Sequence, residues 1–201
     1  MKKFGYRSSL RTKQCSFLNT NWKHALAHGG TLRNKSAGRG SRPLSTKCAL
    51  HIVFKIHKAR LRSRSLRSTQ NFALTNQIIK KYAQYFRVKV EQLSIQNDHF
   101  HALIRTTRRS HFQHFFRVVA GQIAQRFQKE GLLMTGTPLA LMGTKSLWKF
   151  RPFSRVIKGW RAYKIIQNYI QLNEKEVLEE IRYQKQRLSG LSSGEWAILW
   201  R

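Results

Sequence analysis

The short segment His99-Phe100-His101, followed by Ala-Leu-Ile, constrains the fold of this chain more than any other. Successive side chains of a β-strand point to opposite faces of the sheet. We therefore expect Phe100 and Ile104 to face a hydrophobic core, while both imidazoles project from the other face. Two neutral imidazoles on one face can bind a single divalent metal ion.

Apolar periodicity predicts alternating strands and helices around this segment. Strand-like alternation covers residues 48–56 and 88–95, and the second of these slips in phase as a β-bulge would make it do. Spacings of three and four residues predict helices over 69–86 and 112–127, with Gly131 closing the second helix. Asn97 and Asp98 favour a turn, so strand 88–95 and the His strand are expected to pair as a hairpin.

Two more elements complete the predicted fold. Aromatic and basic residues alternate over 147–153, which predicts a fourth strand, and Pro152 favours the edge of the sheet. A loop over 131–144 precedes this strand, and a strong amphipathic helix covers 161–187. The order β-α-β-β-α-β predicts a ferredoxin-like α+β sandwich with an antiparallel four-stranded sheet. The open face of that sheet is left for the last helix, whose apolar stripe is Ile166, Ile170, Val177 and Ile181.

The charge of the chain predicts a polyanionic partner. Lys and Arg number 39 against 8 Asp and Glu, which gives a formal net charge of +31, while 41% hydrophobic residues are enough for a core. Residues 1–46 are basic and lack periodicity, and we interpret them as a loosely ordered arm that contacts phosphates or only aids solubility. The domain then covers 47–187, and residues 188–201 form a C-terminal tail that docks on the domain or on a partner subunit.

The sequence shows neither a membrane-spanning segment nor a secretory signal, and this favours the cytoplasm. The longest apolar stretch, residues 131–142, is short and interrupted by Gly136 and Pro138, so it cannot span a bilayer. The basic N-terminus lacks the hydrophobic segment of a secretory signal. We therefore expect a cytoplasmic protein of bacterial type that acts at the nucleoid, in which Cys15 and Cys48 stay unpaired.

The last predicted helix carries further candidates for chemistry. Tyr169 and Asn173 are four residues apart, so a phenol and an amide stand on the same helical face. If this helix packs on the open face of the sheet, both groups can reach one place together. The alternatives are the amide of Gln167 and four other tyrosines, Tyr82, Tyr85, Tyr163 and Tyr183.

These motifs together resemble those of the single-tyrosine HUH transposases. The chain reads Leu-His-Ile-Val-Phe at 50–54, Asn-Asp-His-Phe-His-Ala-Leu-Ile at 97–104 and Tyr-Ile-x-x-Asn at 169–173. The likeness covers residues 44–185 and is greatest to the group of insertion-sequence and REP-associated tyrosine transposases. Asp98 stands where many relatives have Asn, and Glu174 follows Asn173 where Pro is common.

The resemblance implies roles for four residues. His99 and His101 would bind a divalent metal, Mg²⁺ or Mn²⁺, and Asn173 would complete the site. Tyr169 would attack a DNA phosphodiester and form a 5′-phosphotyrosine, so that single-stranded or hairpin DNA is cleaved and later rejoined. Because each chain has one such tyrosine and two DNA ends must be processed, we expect a homodimer.

Other histidines leave the metal assignment open. His51, on the first strand, can share the sheet face of the His pair, where it would be a structural residue or a further ligand. His111 and His114 lie three residues apart on the second helix, but the sequence offers no third ligand near them.

Several segments combine cations that could contact DNA phosphates. One is the loop before the first helix, and a second follows the His strand directly, so we expect it near the cleavage point. A third interleaves cations with Trp148, Phe150 and Phe153, which would stack bases or, as is more usual for alternating aromatics, pack in the core. The candidate cations are Arg60, Arg62, Arg64, Arg67, Arg105, Arg108, Arg109, Lys149 and Arg151.

Two other functions fit parts of this pattern. Replication-initiator nickases and relaxases share the His pair and the tyrosine, but they usually carry further domains. A non-catalytic RNA- or DNA-binding protein, such as a ribosome-associated factor, would share the positive charge. Only an enzyme would leave a DNA strand covalently attached to the protein.

Overall fold

A computed structural model of the chain describes residues 26–31, 41–134 and 146–182. Most of the predicted basic arm, much of the loop over 131–144 and all of the C-terminal tail lie outside these ranges. The predicted domain boundaries therefore stay predictions. Within the described residues, no helix is both long enough and apolar enough to cross a membrane.

The core of the fold is an antiparallel sheet flanked by helices. The helices are α1 (Thr69–Tyr85), α2 (Arg109–Lys129) and α3 (Trp160–Val177). The strands lie in the order β1-β5-β2-β4-β3. Their bounds are Ala27–His28 for β1, Ala49–Lys55 for β2, Lys89–Ile95 for β3, His99–Arg105 for β4 and Phe153–Ile157 for β5. The path β2-α1-β3-β4-α2-β5 confirms the predicted ferredoxin-like sandwich.

The sheet has five strands where the sequence predicted four. The additional strand β1 pairs Ala27 with Arg155 and His28 with Ser154 of β5, within the segment interpreted as a loosely ordered arm. Gly29 ends β1 with a φ of +82°, and a Cβ there would lie 2.2 Å from the carbonyl oxygen of Pro152. Only glycine therefore permits this close approach of the edge strand.

The predicted fourth strand at 147–153 is wrong in position. The strand that pairs with β2 is Phe153–Ile157, and the segment before it makes only an isolated antiparallel bridge, between Trp148 and Ile56. Trp148 packs its ring edge-on against Phe54 at 5.3 Å and donates from Nε1 to the carbonyl oxygen of Ala120 on α2. The indole N–H thus has a partner in the helical layer, and the Trp148 side chain packs against the core.

The hairpin of β3 and β4 forms as predicted. Its register shifts between Val90 and Gln92, which confirms the bulge, and it then places Ser94 opposite His101. Beyond the bulge, Ile95 lies opposite Phe100, so both face the same core.

The last helix ends earlier than predicted, at Val177 rather than at residue 187. Glu179 adopts a φ of 61°, and its N–H donates to the carbonyl of Glu176 while the N–H of Glu180 donates to that of Lys175. These two hydrogen bonds form a Schellman motif, which terminates a helix. A glycine usually marks this motif, and here a glutamate occupies the left-handed position, so the sequence carried no stop signal.

Two hydrophobic cores lie on opposite faces of the sheet. The larger one fills the space between the sheet and helices α1 and α2, and within it the fully buried rings of Phe54 and Phe100 stack at 4.7 Å. The smaller one packs Ile166 and Ile170 of α3 against Leu103 on the other face. The predicted stripe is therefore buried at its first two positions, whereas Val177 and Ile181 are only half-buried. Helix α3 thus covers the sheet face from which the histidines project.

Candidate active site

The central strand pair places three histidines on one face of the sheet. In the β2–β4 register, Val53 lies opposite His101 and Lys55 lies opposite His99. His51, two residues before Val53, points to the same face as His101, and their rings stack at 5.4 Å. The alternation predicted for the His strand is therefore present in the structure.

The imidazoles of His99 and His101 converge on one point. Their Nε2 atoms are 2.8 Å apart, and the rings meet edge to face with centroids 4.6 Å apart. Which of these nitrogens carries a proton follows from the partners of the two Nδ1 atoms.

Asp98 is the partner of His99. Its Oδ1 lies 2.5 Å from Nδ1 of His99, and its Oδ2 lies 3.2 Å from Nζ of Lys55. The hydrogen bond from His99 and the charge of Lys55 hold the pKa of the Asp98 carboxyl well below its usual range, although burial opposes the shift. An ionised carboxylate accepts the Nδ1–H of His99, which leaves the lone pair of Nε2 available.

His51 is the corresponding partner of His101. Its Nε2 lies 3.2 Å from Nδ1 of His101, and its side chain is only 6% exposed. Burial, assisted by the nearby charge of Arg155, lowers the pKa of His51 to about 4, so its ring is neutral at neutral pH. A neutral His51 can accept the Nδ1–H of His101, which leaves Nε2 of His101 with a lone pair facing that of His99.

This arrangement fits a metal ion. Two lone pairs facing each other at 2.8 Å repel unless a proton or a metal ion lies between them. Two nitrogens bound at about 2.1 Å and at a right angle would be about 3 Å apart, close to the observed separation. No cluster of three His, Cys, Asp or Glu side chains is placed to hold a metal within residues 26–31, 41–134 and 146–182. Further ligands would therefore be oxygens of another kind, from an amide, water or DNA.

Helix α3 brings Tyr169 to this cluster. The half-buried ring of Tyr169 lies edge-on to His101 at 5.4 Å and edge-on to His51 at 6.3 Å. The packing of Ile166 and Ile170 against the sheet places Tyr169 there, because these residues lie within one turn of it on the helix. The other described tyrosines have different surroundings, since Tyr82 and Tyr85 belong to α1 and Tyr163 lies at Arg105.

Asn173 lies one turn beyond Tyr169, next to the end of β3. Its backbone carbonyl accepts a hydrogen bond of 2.8 Å from Nε2 of Gln96, which also donates to Oγ of Ser94. This contact fixes the helix against the strand end that leads to His99. Gln167, two residues before Tyr169, lies on a different side of the helix and is the weaker alternative.

The cations before α1 are partly occupied by structural contacts. Nη1 of Arg67 donates to Oε1 of Glu174 and to the carbonyl of Ile95, each at 3.0 Å, and so ties this loop to α3. Nε and Nη2 of Arg60 are buried. Arg62 and Arg64 are exposed. This loop lies at the His99 end of the sheet, because the N–H of Leu66 donates to the carbonyl of Asn97.

The cations after the His strand lie at the opposite end of β4 from His99. Arg105 is six residues along β4 from His99, which corresponds to about 20 Å. Arg108 and Arg109 are exposed just beyond it. Arg105 itself donates to Oε1 of Glu91 at 2.8 Å.

Lys149 and Arg151 are exposed, and Lys149 lies at the His99 end of the sheet, where its N–H donates to the carbonyl of Lys55. Another cation, Arg155, was not predicted from the sequence; it lies opposite His51 in the β2–β5 register and shares its face. Alternation along β5 would have identified Arg155 if that strand had been placed correctly.

The histidines on α2 are not near the cluster. Nδ1 of His111 lies 3.2 Å from Oγ1 of Thr106, and His114 stacks on Phe86 at 5.9 Å. Their surroundings are those of surface residues on the helical layer.

Comparisons with known proteins identify the family and the fold of the chain. A family model described as "Transposase IS200 like" matches residues 44–173. The structure of a REP-associated tyrosine transposase bound to a REP hairpin shares 14% sequence identity and a TM-score of 0.52, covering 75% of this chain and 78% of that one. A candidate transposase from Deinococcus radiodurans R1 shares 15% identity over 69% of this chain and 98% of its own, with a TM-score of only 0.39. No curated protein sequence matches the chain.

The neutral state of His51 predicts a pH-dependent stability. The pKa is about 4 in the folded protein against 6.5 in the unfolded chain, so the unfolded state binds the proton first as the pH falls. The stability that neutral His51 contributes is complete above about pH 6.5 and is lost as the pH falls toward about 4. Relative to His51→Gln, metal-free wild type should lose about 2 kcal/mol of unfolding free energy between about pH 7.5 and about pH 5.

Urea titrations of both proteins in a chelator, at the two pH values, measure this difference. The variant corrects for the other titrating groups, which the two proteins share. An identical pH dependence would contradict a neutral, buried His51.

Proposed function

The chain belongs to the IS200-like transposase family, and from this premise we propose that it is a metal-dependent DNA strand transferase with Tyr169 as its nucleophile. Membership of the family implies an activity that cleaves and rejoins DNA. The observation that carries the finer proposal is the contact of the Tyr169 ring with His101 and His51, beside the paired Nε2 atoms of His99 and His101.

The proposed substrate is single-stranded or hairpin DNA. The structural neighbour was captured on a REP hairpin, and the net charge of +31 favours a polyanion. Exposed cations at the His99 end of the sheet would hold phosphates next to the site, and half-buried Arg155 would approach from the face of His51. The phosphate contacts proposed there are Arg62, Arg64, Lys149, Arg151 and Arg155.

His99, His101 and Asn173 are the proposed ligands of a divalent metal, Mg²⁺ or Mn²⁺. When bound, the metal would withdraw charge from a non-bridging phosphate oxygen and fix the phosphorus for in-line attack. Two nitrogens and an amide oxygen suit Mn²⁺ at least as well as Mg²⁺, which prefers oxygen ligands. Asp98 and His51 would act as positioning residues, since each would hold one ligand ring in the tautomer whose Nε2 lone pair can bind the metal.

The phenolic oxygen of Tyr169 would form a new bond to the phosphorus while the bond from phosphorus to the 3′-oxygen breaks. The phenol loses its proton to solvent, and the 3′-oxygen leaves and takes up a proton as a free hydroxyl. The product is a 5′-phosphotyrosine, which conserves the energy of one phosphodiester bond. Attack by a second 3′-hydroxyl would reverse the step and join the strands without another energy source.

Tyr169→Phe tests the nucleophile. This variant should bind a labelled hairpin as wild type does, because the ring still packs against His101, but it should leave no protein-linked strand on a denaturing gel with Mn²⁺. Tyr85→Phe, which removes a phenol from α1, is the matched control and should form the adduct. An adduct formed by Tyr169→Phe would reject the assignment. If wild type formed no adduct, the protein would be a non-catalytic DNA binder.

His99→Ala tests the metal ligands without relying on activity. Loss of one imidazole should weaken Mn²⁺ binding by more than about tenfold, measured from the electron paramagnetic resonance signal of free Mn²⁺. Binding of hairpin DNA in a chelator should not change. His114→Ala, on α2, should bind Mn²⁺ as wild type does, and equal binding by His99→Ala would refute the metal site.

We also propose that the active form is a homodimer, because each chain supplies one Tyr169 while strand transfer involves two DNA ends. Light scattering of the protein on hairpin DNA should give a protein mass of twice the 23.7 kDa of one chain. A single-chain mass both free and on DNA would contradict this.

A further inference from the structure

An exposed pair of aromatic rings opens helix α3. Trp160, its first residue, is 70% exposed, and its ring lies nearly parallel to that of Tyr163, with centroids 5.5 Å apart and an interplanar angle of 17°. Single exposed apolar residues are common on proteins, but a tryptophan held flat on a second ring offers a rigid surface for stacking.

Cations surround this pair. Nζ of Lys164 lies 4.9 Å from the centre of the Trp160 ring, and Cζ of Arg105 lies 5.2 Å from the centre of the Tyr163 ring. Lys158 and Arg161 flank Trp160 and are exposed. The Glu91 carboxylate pairs with Arg105, with its Oε1 2.8 Å from Nε, whereas Lys158 and Arg161 are exposed to solvent.

The pair lies on the same helix as the proposed nucleophile. Tyr163 precedes Tyr169 by six residues and Trp160 precedes it by nine, which correspond to about 9 Å and about 14 Å along the helix axis. A strand of a few nucleotides spans such a distance. Arg105, Arg108 and Arg109, distant from His99, lie at this end of the sheet, where the same strand would pass them.

We propose that Trp160 and Tyr163 form a stacking platform for unpaired bases of the DNA strand whose phosphate is held at Tyr169. The inference rests on the proposed function and adds a second point of contact for its substrate. Aromatic rings accept any base by its flat face, and nearby cations hold the backbone, which is how proteins bind single strands without reading their sequence. A protein partner would also cover an exposed tryptophan, but the exposed cations Lys158 and Arg161 on either side of it favour a polyanion.

Trp160→Ala tests the platform on a hairpin that carries a single-stranded extension with 2-aminopurine at successive positions. Wild type should quench the fluorescence of at least one position, and Trp160→Ala should lose that quenching and bind at least about fivefold less tightly. Trp160→Phe keeps a ring and should restore most of both. A blunt duplex of the same sequence has no unpaired bases, so wild type and Trp160→Ala should bind it equally.

Tyr85→Ala is the matched control. Tyr85 is 75% exposed but belongs to α1, on the opposite face of the sheet, so its loss should change neither quenching nor affinity. The platform is wrong if Trp160→Ala quenches and binds as wild type does, if Tyr85→Ala weakens binding equally, or if the duplex is affected as strongly as the hairpin. The last two outcomes would indicate diffuse binding.

Denaturing gels of the same samples separate this proposal from the proposed function. Adduct formation by wild type, with unchanged DNA affinity in Trp160→Ala, would leave the strand transferase standing and overturn the platform. Quenching that depends on Trp160, without any adduct, would support the platform and overturn the transferase.

Discussion

The pairing of β2 with β4 at the centre of the sheet determines both the core and the histidine cluster. Phe54 faces Phe100 across this pair on one side of the sheet, while His51 and His101 stack on the other. A slip of one residue would turn phenylalanines toward α3 and imidazoles into the larger core. The burial of Phe54 and Phe100, both fully inaccessible, therefore holds the histidines in place, because a slip of one residue would take these rings out of the larger core.

Helix α3 covers the histidine cluster and shields it from solvent. Its contacts with Leu103 cover the face from which the histidines project, and they carry Tyr169 to within ring contact of His101. Covering a charged imidazole would be costly, and the site avoids this cost because His51 is neutral and hydrogen-bonded to His101. Asp98, the ionised partner of His99, lies at the edge of the site, where Lys55 compensates its charge.

Three acidic residues of this very basic chain form ion pairs that join parts of the structure. Glu91 pairs with Arg105, Asp98 with Lys55, and Glu174 with Arg67. The Arg67 pair joins the loop before α1 to the helix that bears Tyr169, at the His99 end of the sheet. On the proposed DNA substrate, the remaining exposed cations would attract phosphates without regard to sequence, so any discrimination between DNA strands would have to come from shape and from stacking surfaces.

The sequence by itself determined the order of strands and helices, the common face of His99 and His101, and the shared helical face of Tyr169 and Asn173, because these follow from the periods of 2.0 and 3.6 residues. Only the tertiary structure decided that His51 would be hydrogen-bonded to His101 and that the Trp148 indole would donate to a carbonyl on α2. It also decided that Arg105 would lie far from His99. Such outcomes depend on contacts between residues distant in the chain, and local periodicity contains no information about which partner a side chain will meet.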